Sequence, residues 1–262
     1  MRIMESQGRV LVLWDVDHTL IENGGVSKAN YALAFELLSG QRPQVAARTD
    51  GRTDADIMSG LFHDNGIRYP ENQAEVLSAL AEAGRQNAEE LSRRGHALEG
   101  AAECLQGLSS QHDVINSVLT GNIVENARIK LGVFGLDTWV DFSVGAFGAE
   151  HRVRSALVPI AQEKAMVAYG FDPSCHVTVV VGDTKRDVAA GRDGGARVIA
   201  VATGLDSQED LDRSGADVAL ASLVDVSAFC RAVDAVRALG PLNGAARSGG
   251  RMVQQEQRLN ES

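Results

Sequence analysis

Val10-Leu11-Val12-Leu13-Trp14 is an unbroken apolar run that stops at Asp15, with Asp17 two residues further on. So short and uniform a run reads as a parallel strand covered on both faces. A parallel strand needs crossover connections, which commits the chain to a layered α/β fold. Residues two apart on a strand point to the same side, so Asp15 and Asp17 would present their carboxylates together, with backbones about 6.5 Å apart. Two neighbouring anions need compensation: either one keeps a proton, or a hard divalent cation with oxygen ligands sits between them. An aspartate pair could also do no more than end a strand before a turn, so the rest of the chain has to decide.

From Leu98 onward helical and extended patterns alternate. Helices are expected over 101–111, 123–131, 155–169 and 184–193, near 210, and over 226–239; strands are expected over 113–119, 140–144, 177–181, 198–201 and 218–220. That alternation specifies a Rossmann-like parallel sheet with helices on both faces. Residues 23–96 carry helical spacing instead, with helices expected over 27–38, 54–65 and 71–94. The expected organisation is thus an α/β core from residues 1–22 and 97–240, an inserted all-helical cap over 23–96, and a mobile tail over 241–262, where a docking helix around 252–259 is the lesser alternative.

Ligands of open parallel sheets bind at the carboxyl ends of the strands. The strong strands end in Asp15 and Asp17, in Thr120-Gly121-Asn122, and in Gly182-Asp183-Thr184. Thr120 and the amides of Gly121 and Asn122 would face an anion at a helix start, with Asn122 capping that helix. Asp183 and Asp187, four apart across a strand-to-helix turn, can both face the same pocket and complete the oxygen ligands of a magnesium-like ion.

Composition narrows the partners. A net charge of −10 and a pI near 5.1 leave no basic face for nucleic acid. Met1 to Gly8 lacks the apolar stretch of a signal peptide and no later run reaches membrane-span length, so a cytoplasmic protein without a membrane role is expected. Cys104, Cys175 and Cys230 are odd in number and widely spaced, which suits reduced thiols rather than disulfides or a zinc knuckle. Neither a His-Glu-x-x-His nor a Gly-x-Ser-x-Gly motif occurs, and the glycine-rich cradles for dinucleotides and nucleoside triphosphates are missing too.

Asp-Val-Asp-His-Thr-Leu, Thr-Gly-Asn and Gly-Asp-Thr-x-x-Asp, in this order over residues 10–235, resemble the motifs of the haloacid dehalogenase-like (HAD) hydrolase superfamily. The insertion resembles the helical cap of its phosphoglycolate phosphatase branch, and Gly51-Arg52-Thr53-Asp54 resembles a segment common there. The resemblance implies that Asp15 attacks phosphorus to form an aspartyl-phosphate, and that Asp17 protonates the leaving oxygen and then assists water. Members that remove halide lack the second acid, so a phosphatase or a phosphomutase is implied. Mg2+ would be held by Asp15, Asp17, Asp183 and Asp187. Thr120, Gly121 and Asn122 would bind the phosphoryl group together with a basic residue. The superfamily usually has a lysine for that task, and here Arg154 is favoured over Lys164 by its distance from Gly182. His18 stands where glycine is more common and is read as a turn residue.

Arg52 is the expected cap contact for a carboxylate or second anionic group of the substrate, with a salt bridge to Asp50 or Asp54 as an equal alternative. The expected activity is hydrolysis of a small phosphorylated metabolite by a monomer or homodimer. A β-phosphoglucomutase-like mutase, with His63 as a weak candidate for its cap acid-base group, and a non-catalytic phosphate-binding protein are the alternatives.

Overall fold

The protein is described by a computed structural model covering residues 8–49 and 51–242. Strand β1 (Val10–Trp14) leads through a tight turn into β2 (Ile21–Glu22). Four helices follow, α1 (Val26–Ser39), α2 (Asp54–Asp64), α3 (Gln73–Gln86) and α4 (Ala88–Arg94), before β3 (His96–Ala97) returns to pair antiparallel with β2. Then come α5 (Ala101–Ser109), β4 (Val114–Thr120), α6 (Val124–Val133), β5 (Ala146–Phe147) and α7 (Leu157–Tyr169). The chain continues through β6 (Val177–Gly182), α8 (Lys185–Asp193), β7 (Arg197–Val201), α9 (Gln208–Arg213), β8 (Val218–Leu220) and α10 (Val226–Ala238).

Six strands form one sheet in the order β5-β4-β1-β6-β7-β8, and all its pairings are parallel. The chain leaves β1 for β4 and β5 on one side, then crosses to β6 on the other. That reversal opens a crevice at the carboxyl ends of β1, β4 and β6. β1 is buried along its whole length, as an unbroken apolar run demands. Val10, Val12 and Trp14 pack with Leu105, Phe229 and Val233 on one face, while Leu11 and Leu13 pack with Leu157, Val158 and Ala161 on the other. Each such side chain contributes about 1.5–3 kcal/mol by leaving water.

The fold expected from the sequence, a parallel α/β sheet with an inserted helical cap, is the fold observed. The cap has its own apolar centre, in which Phe35, Met58, Phe62, Val76 and Leu80 are buried and the Phe35 and Phe62 rings lie 4.6 Å apart. Two elements differ. The single helix expected over 71–94 is broken at Asn87, which ends α3 and begins α4. The Asn87 side-chain amide donates to Asn30 Oδ1 on α1 at 2.8 Å, a long-range contact that local spacing does not encode. The strand expected over 140–144 is not formed; pairing to β4 occurs later, through Ala146 and Phe147. Polar groups of β4 engage that segment instead: Asn116 Nδ2 donates to Trp139 O, Ser117 Oγ donates to Asp141 O, and Asn116 O accepts from Asp141 N. Of the expected tail, only Pro241 and Leu242 lie within the described residues.

Trp14 closes one layer of the core, with its ring 4.9 Å from that of Phe229 and its indole N–H donating to Asn116 Oδ1 at 2.6 Å. Trp14→Phe keeps most of the apolar contact and removes the donor from a buried acceptor. Denaturant unfolding should show a loss of about 1–3 kcal/mol with an unchanged dependence on denaturant; no loss would mean that Asn116 finds another donor.

Candidate active site

Asp15 follows β1 directly and stays in the ladder through its amide, which donates to Val181 O at 2.8 Å. The chain then turns sharply, with Leu20 and Ile21 amides both donating to Val16 O. His18 has φ 61°, in the left-handed region that a histidine tolerates better than most residues. Its Nδ1 lies 2.8 Å from Glu22 Oε2 and its carbonyl accepts from Thr203 Oγ1 at 2.5 Å, so it shapes the turn.

Two acids that strand geometry puts side by side have separate counterions. Arg154, in a short 3-10 turn ahead of α7, places its guanidinium 2.8 Å from Asp15 Oδ1 and 2.5 Å from Asp187 Oδ1. Lys130 on α6 donates to both Asp17 oxygens, at 2.9 and 2.6 Å. Asn122 Nδ2 and Asn23 Nδ2 add hydrogen bonds to Asp17 at 2.9 and 2.8 Å. The electrostatic outcomes diverge accordingly. Burial and the neighbouring carboxylates push Asp15 up to about 6 despite Arg154. Burial also acts to raise Asp17, but Lys130 and the asparagine amides outweigh it and hold that carboxyl at about 2.

The third strand end supplies Asp183 and Asp187. Asp187 Oδ2 accepts from the Thr184 amide and hydroxyl at 3.0 and 2.6 Å, and the Thr184 hydroxyl accepts from the Asp187 amide in return. This capping box fixes the first turn of α8. Gly182 is required beneath it, because a Cβ there would lie 2.4 Å from that of Asp187. Asp183 Oδ1 accepts from Thr19 Oγ1 at 3.0 Å, and burial, Asp187 and Asp15 together push the Asp183 carboxyl up to about 8.

Asp15, Asp183 and Asp187 are all buried and each can offer an oxygen within 4.8 Å of the others. With Arg154 as the cation in contact with Asp15 and Asp187, the trio carries surplus negative charge. Hard oxygen donors and an uncompensated charge fit a divalent cation such as Mg2+. The fourth expected ligand, Asp17, has its carboxylate committed to Lys130, Asn122 and Asn23.

The Thr120 hydroxyl accepts from Asn122 Nδ2 at 2.8 Å and is fully buried. Asn122 does not cap the helix as expected: α6 starts from Ile123, whose amide donates to Asp54 Oδ2 at 2.7 Å. A carboxylate from the cap thus serves a core helix. Asp54 Oδ1 accepts from the Tyr31 hydroxyl at 2.6 Å, and burial pushes this carboxyl up to about 6 against the pull of those donors and Lys130. Asp54 N also donates to Gly121 O at 2.8 Å, and a Cβ on Gly121 would lie 2.2 Å from the Arg52 carbonyl. Gly121 is therefore the seat on which the cap loop rests.

A cavity of about 430 Å3 lies over these groups, lined by Asp15, Asp17, Thr120 and Asp183 from the core and by Tyr31 and Arg52 from the cap. Arg52 is exposed at this cavity; Asp54 faces Tyr31 and Ile123, and Asp50 lies outside the described residues. Lys164 is elsewhere: its ammonium donates to Gly145 O at 2.6 Å and pairs with Glu150 Oε1 at 2.8 Å. His63 is exposed beside Asp64 and does not line the cavity.

Sequence reasoning missed Lys130, Asp54, Thr19 and Asn23. Lys130 left a trace. At helical spacing it falls about 20° from Ile123, on the edge of the stripe of Ile123, Ala127 and Leu131, where a lysine needs a partner if it is buried. Asp54 was visible only as a neighbour of Arg52.

In the folded protein Asp15 and Asp183 titrate above their ordinary carboxylate range, so without a cation their contribution to stability is full below about pH 4 and is lost as pH rises to about 8. A divalent ion binds the ionised form. With Mg2+ fixed at about a hundred times its dissociation constant at pH 8, thermal unfolding should shift up by about 5 °C or more at about pH 8 and, at the same Mg2+ concentration, by much less at about pH 5. Equal shifts at the two pH values would place the ion elsewhere.

Residues 153–226, which carry Arg154, Asp183 and Asp187, match the HAD-hydrolase-like family model. No curated protein matches the chain. Among solved structures it is similar in fold to a hydrolase from Pseudomonas syringae, with 20% identity and a TM-score of 0.62 over 86% of this chain and 99% of that one. It is also similar to a protein provisionally assigned as a β-phosphoglucomutase from Bacteroides vulgatus, with 20% identity and a TM-score of 0.60 over 88% and 91%. A sequence-predicted phosphoglycolate phosphatase from Haemophilus somnus gives 17% identity and a TM-score of 0.58 over 86% and 99%. The family match ties residues 153–226 to HAD-like hydrolases, the solved structures share the fold, the trio of buried aspartates offers a site for a divalent cation, and none of these singles out a branch.

Proposed function

We propose that the protein is a magnesium-dependent phosphomonoester hydrolase that acts on a small phosphorylated metabolite through an aspartyl-phosphate on Asp15. The observation that carries this reading is the division of labour between two adjacent acids. Asp15 sits with Arg154 beside the cation trio, and Asp17 sits apart with Lys130. This arrangement supports attack by Asp15 and proton transfer by Asp17.

In the first step a carboxylate oxygen of Asp15 bonds to phosphorus as the bond to the leaving oxygen breaks; Asp17, ionised in the free protein, relays to that oxygen the proton carried in by the phosphomonoester monoanion. In the second, water bonds to phosphorus, the Asp15–phosphorus bond breaks, and Asp17 takes up the proton released. Arg154 and the Thr120 hydroxyl stabilise charge on the transferring group, with Gly121 and Asn122 shaping the same strand end. Asp15, Asp183 and Asp187 would hold Mg2+, which supplies further offset of phosphoryl charge. A departing halide needs no proton, so the second acid points to phosphoryl transfer. The cap limits the cavity to about 430 Å3, which suits a small substrate better than a protein phosphosite. Phosphoglycolate-like compounds and sugar phosphates are the candidate substrates, and a cytoplasmic setting belongs to this reading.

Phosphate release from a panel of phosphometabolites should depend on Mg2+, and Asp15→Asn should lower it by about 1,000-fold or more. A panel without any turnover contradicts the proposal, and an isomer in place of free phosphate from a sugar 1-phosphate would identify a mutase. Arg52→Ala should raise KM about 10-fold for a substrate with a second anionic group while leaving kcat nearly unchanged. A fall in kcat alone would remove Arg52 from substrate binding.

A further inference from the structure

Lys130 lies in the middle of α6, with the ammonium buried and both its stem and its head inside the core. A buried ammonium persists only with a partner of good geometry. This one has three acceptors for three hydrogens: Asp17 Oδ1 at 2.9 Å, Asp17 Oδ2 at 2.6 Å and Asn122 Oδ1 at 2.7 Å. Two contacts on one carboxylate fix its plane as well as its position. The third contact fixes Asn122, because the amide oxygen facing Lys130 turns Nδ2 toward Asp17 and Thr120. Lys130 does not line the cavity, whereas Asp17 does. Its ammonium is therefore behind the acid as seen from the substrate.

We infer that Lys130 is a positioning residue, which acts on the reaction through Asp17 by holding that carboxylate in the orientation needed to reach the leaving oxygen. The inference rests on the phosphatase reading above. It assigns to Lys130 no contact with the phosphoryl group, which distinguishes it from Arg154. Asn23 and Ser27 also bond to Asp17 Oδ1, at 2.8 and 3.3 Å, but both come from the cap side and neither spans the two oxygens. Lys130 alone among the described residues is paired to both.

The test compares two leaving groups on the magnesium-loaded protein. An alkyl phosphate, the one the wild type hydrolyses fastest, needs its leaving oxygen protonated, whereas p-nitrophenyl phosphate does not. Lys130→Met should lower kcat on the alkyl phosphate about 100-fold with KM nearly unchanged. With p-nitrophenyl phosphate it should still give a stoichiometric burst of p-nitrophenolate, since attack by Asp15 is intact, followed by a slowed steady state. A purely structural lysine would lose the burst in parallel with the alkyl activity. Because Lys130→Met leaves Asp17 without its cation and can compromise folding, the double variant D17N/K130M removes both charges. Its kcat should equal that of Asp17→Asn within about 3-fold, as expected when one residue acts through the other. A double variant about 10-fold or more below Asp17→Asn, or a burst lost from a folded Lys130→Met, overturns the inference while leaving the phosphatase reading in place. A wild type that releases phosphate from neither ester overturns both.

Discussion

Asp15, Asp17, Asp183 and Asp187 converge on the carboxyl ends of parallel strands, and their mutual repulsion is the constraint to which the rest of the site answers. Two cations, Lys130 buried and Arg154 largely so, divide the load. Arg154 spans Asp15 and Asp187, and Lys130 spans the oxygens of Asp17. On the Asp15 side burial, together with the neighbouring carboxylates, raises Asp15 and Asp183, and the surplus negative charge makes the trio a receptor for a hard cation. The Asp17 side is balanced, with one ammonium for one carboxylate and two amides adding hydrogen bonds. Similar residues only two positions apart thus acquire opposite character from what surrounds them.

The cap is part of the same electrostatic arrangement. Asp54 stands at the start of α2, where the Thr53 side chain accepts from the Asp56 amide, and reaches across to the amide of Ile123, the residue just ahead of α6. The close approach needs glycine at 121, since any Cβ there would meet the Arg52 carbonyl. At another cap–core contact, Asn126 Nδ2 on α6 donates to Leu80 O on α3, and Gly84 leaves room for the asparagine. Asn126 and Lys130 are one turn apart on α6, so the helix that seats the cap also carries the cation of the acid.

Much of this was legible in the sequence because the relevant signals are local. An apolar run ending in acid identifies both a buried strand and its functional end, and the rule that parallel sheets bind at their carboxyl edges brings separate motifs together. Arg154 could be located by its distance from Gly182. What was not legible depends on partners far away in the chain. Asn87 breaks a helix through Asn30, residues 140–144 are engaged by Asn116 and Ser117, and Lys130 is buried against an acid more than a hundred residues earlier. Asn122 has the composition of a helix cap, yet the tertiary demand of Asp17 takes its amide and a cap aspartate does the capping. Local preference was overridden where charge had to be matched.

The shared Asp54 has a mechanical side. Lifting the inserted helices off the sheet would strip an acceptor from the Ile123 amide and a donor from the Gly121 carbonyl in a single movement. The two-stranded ribbon of β2 and β3 ties the insertion to the core at its root, and Asp54 ties it again at the start of α6, so the insertion is held at two separated points.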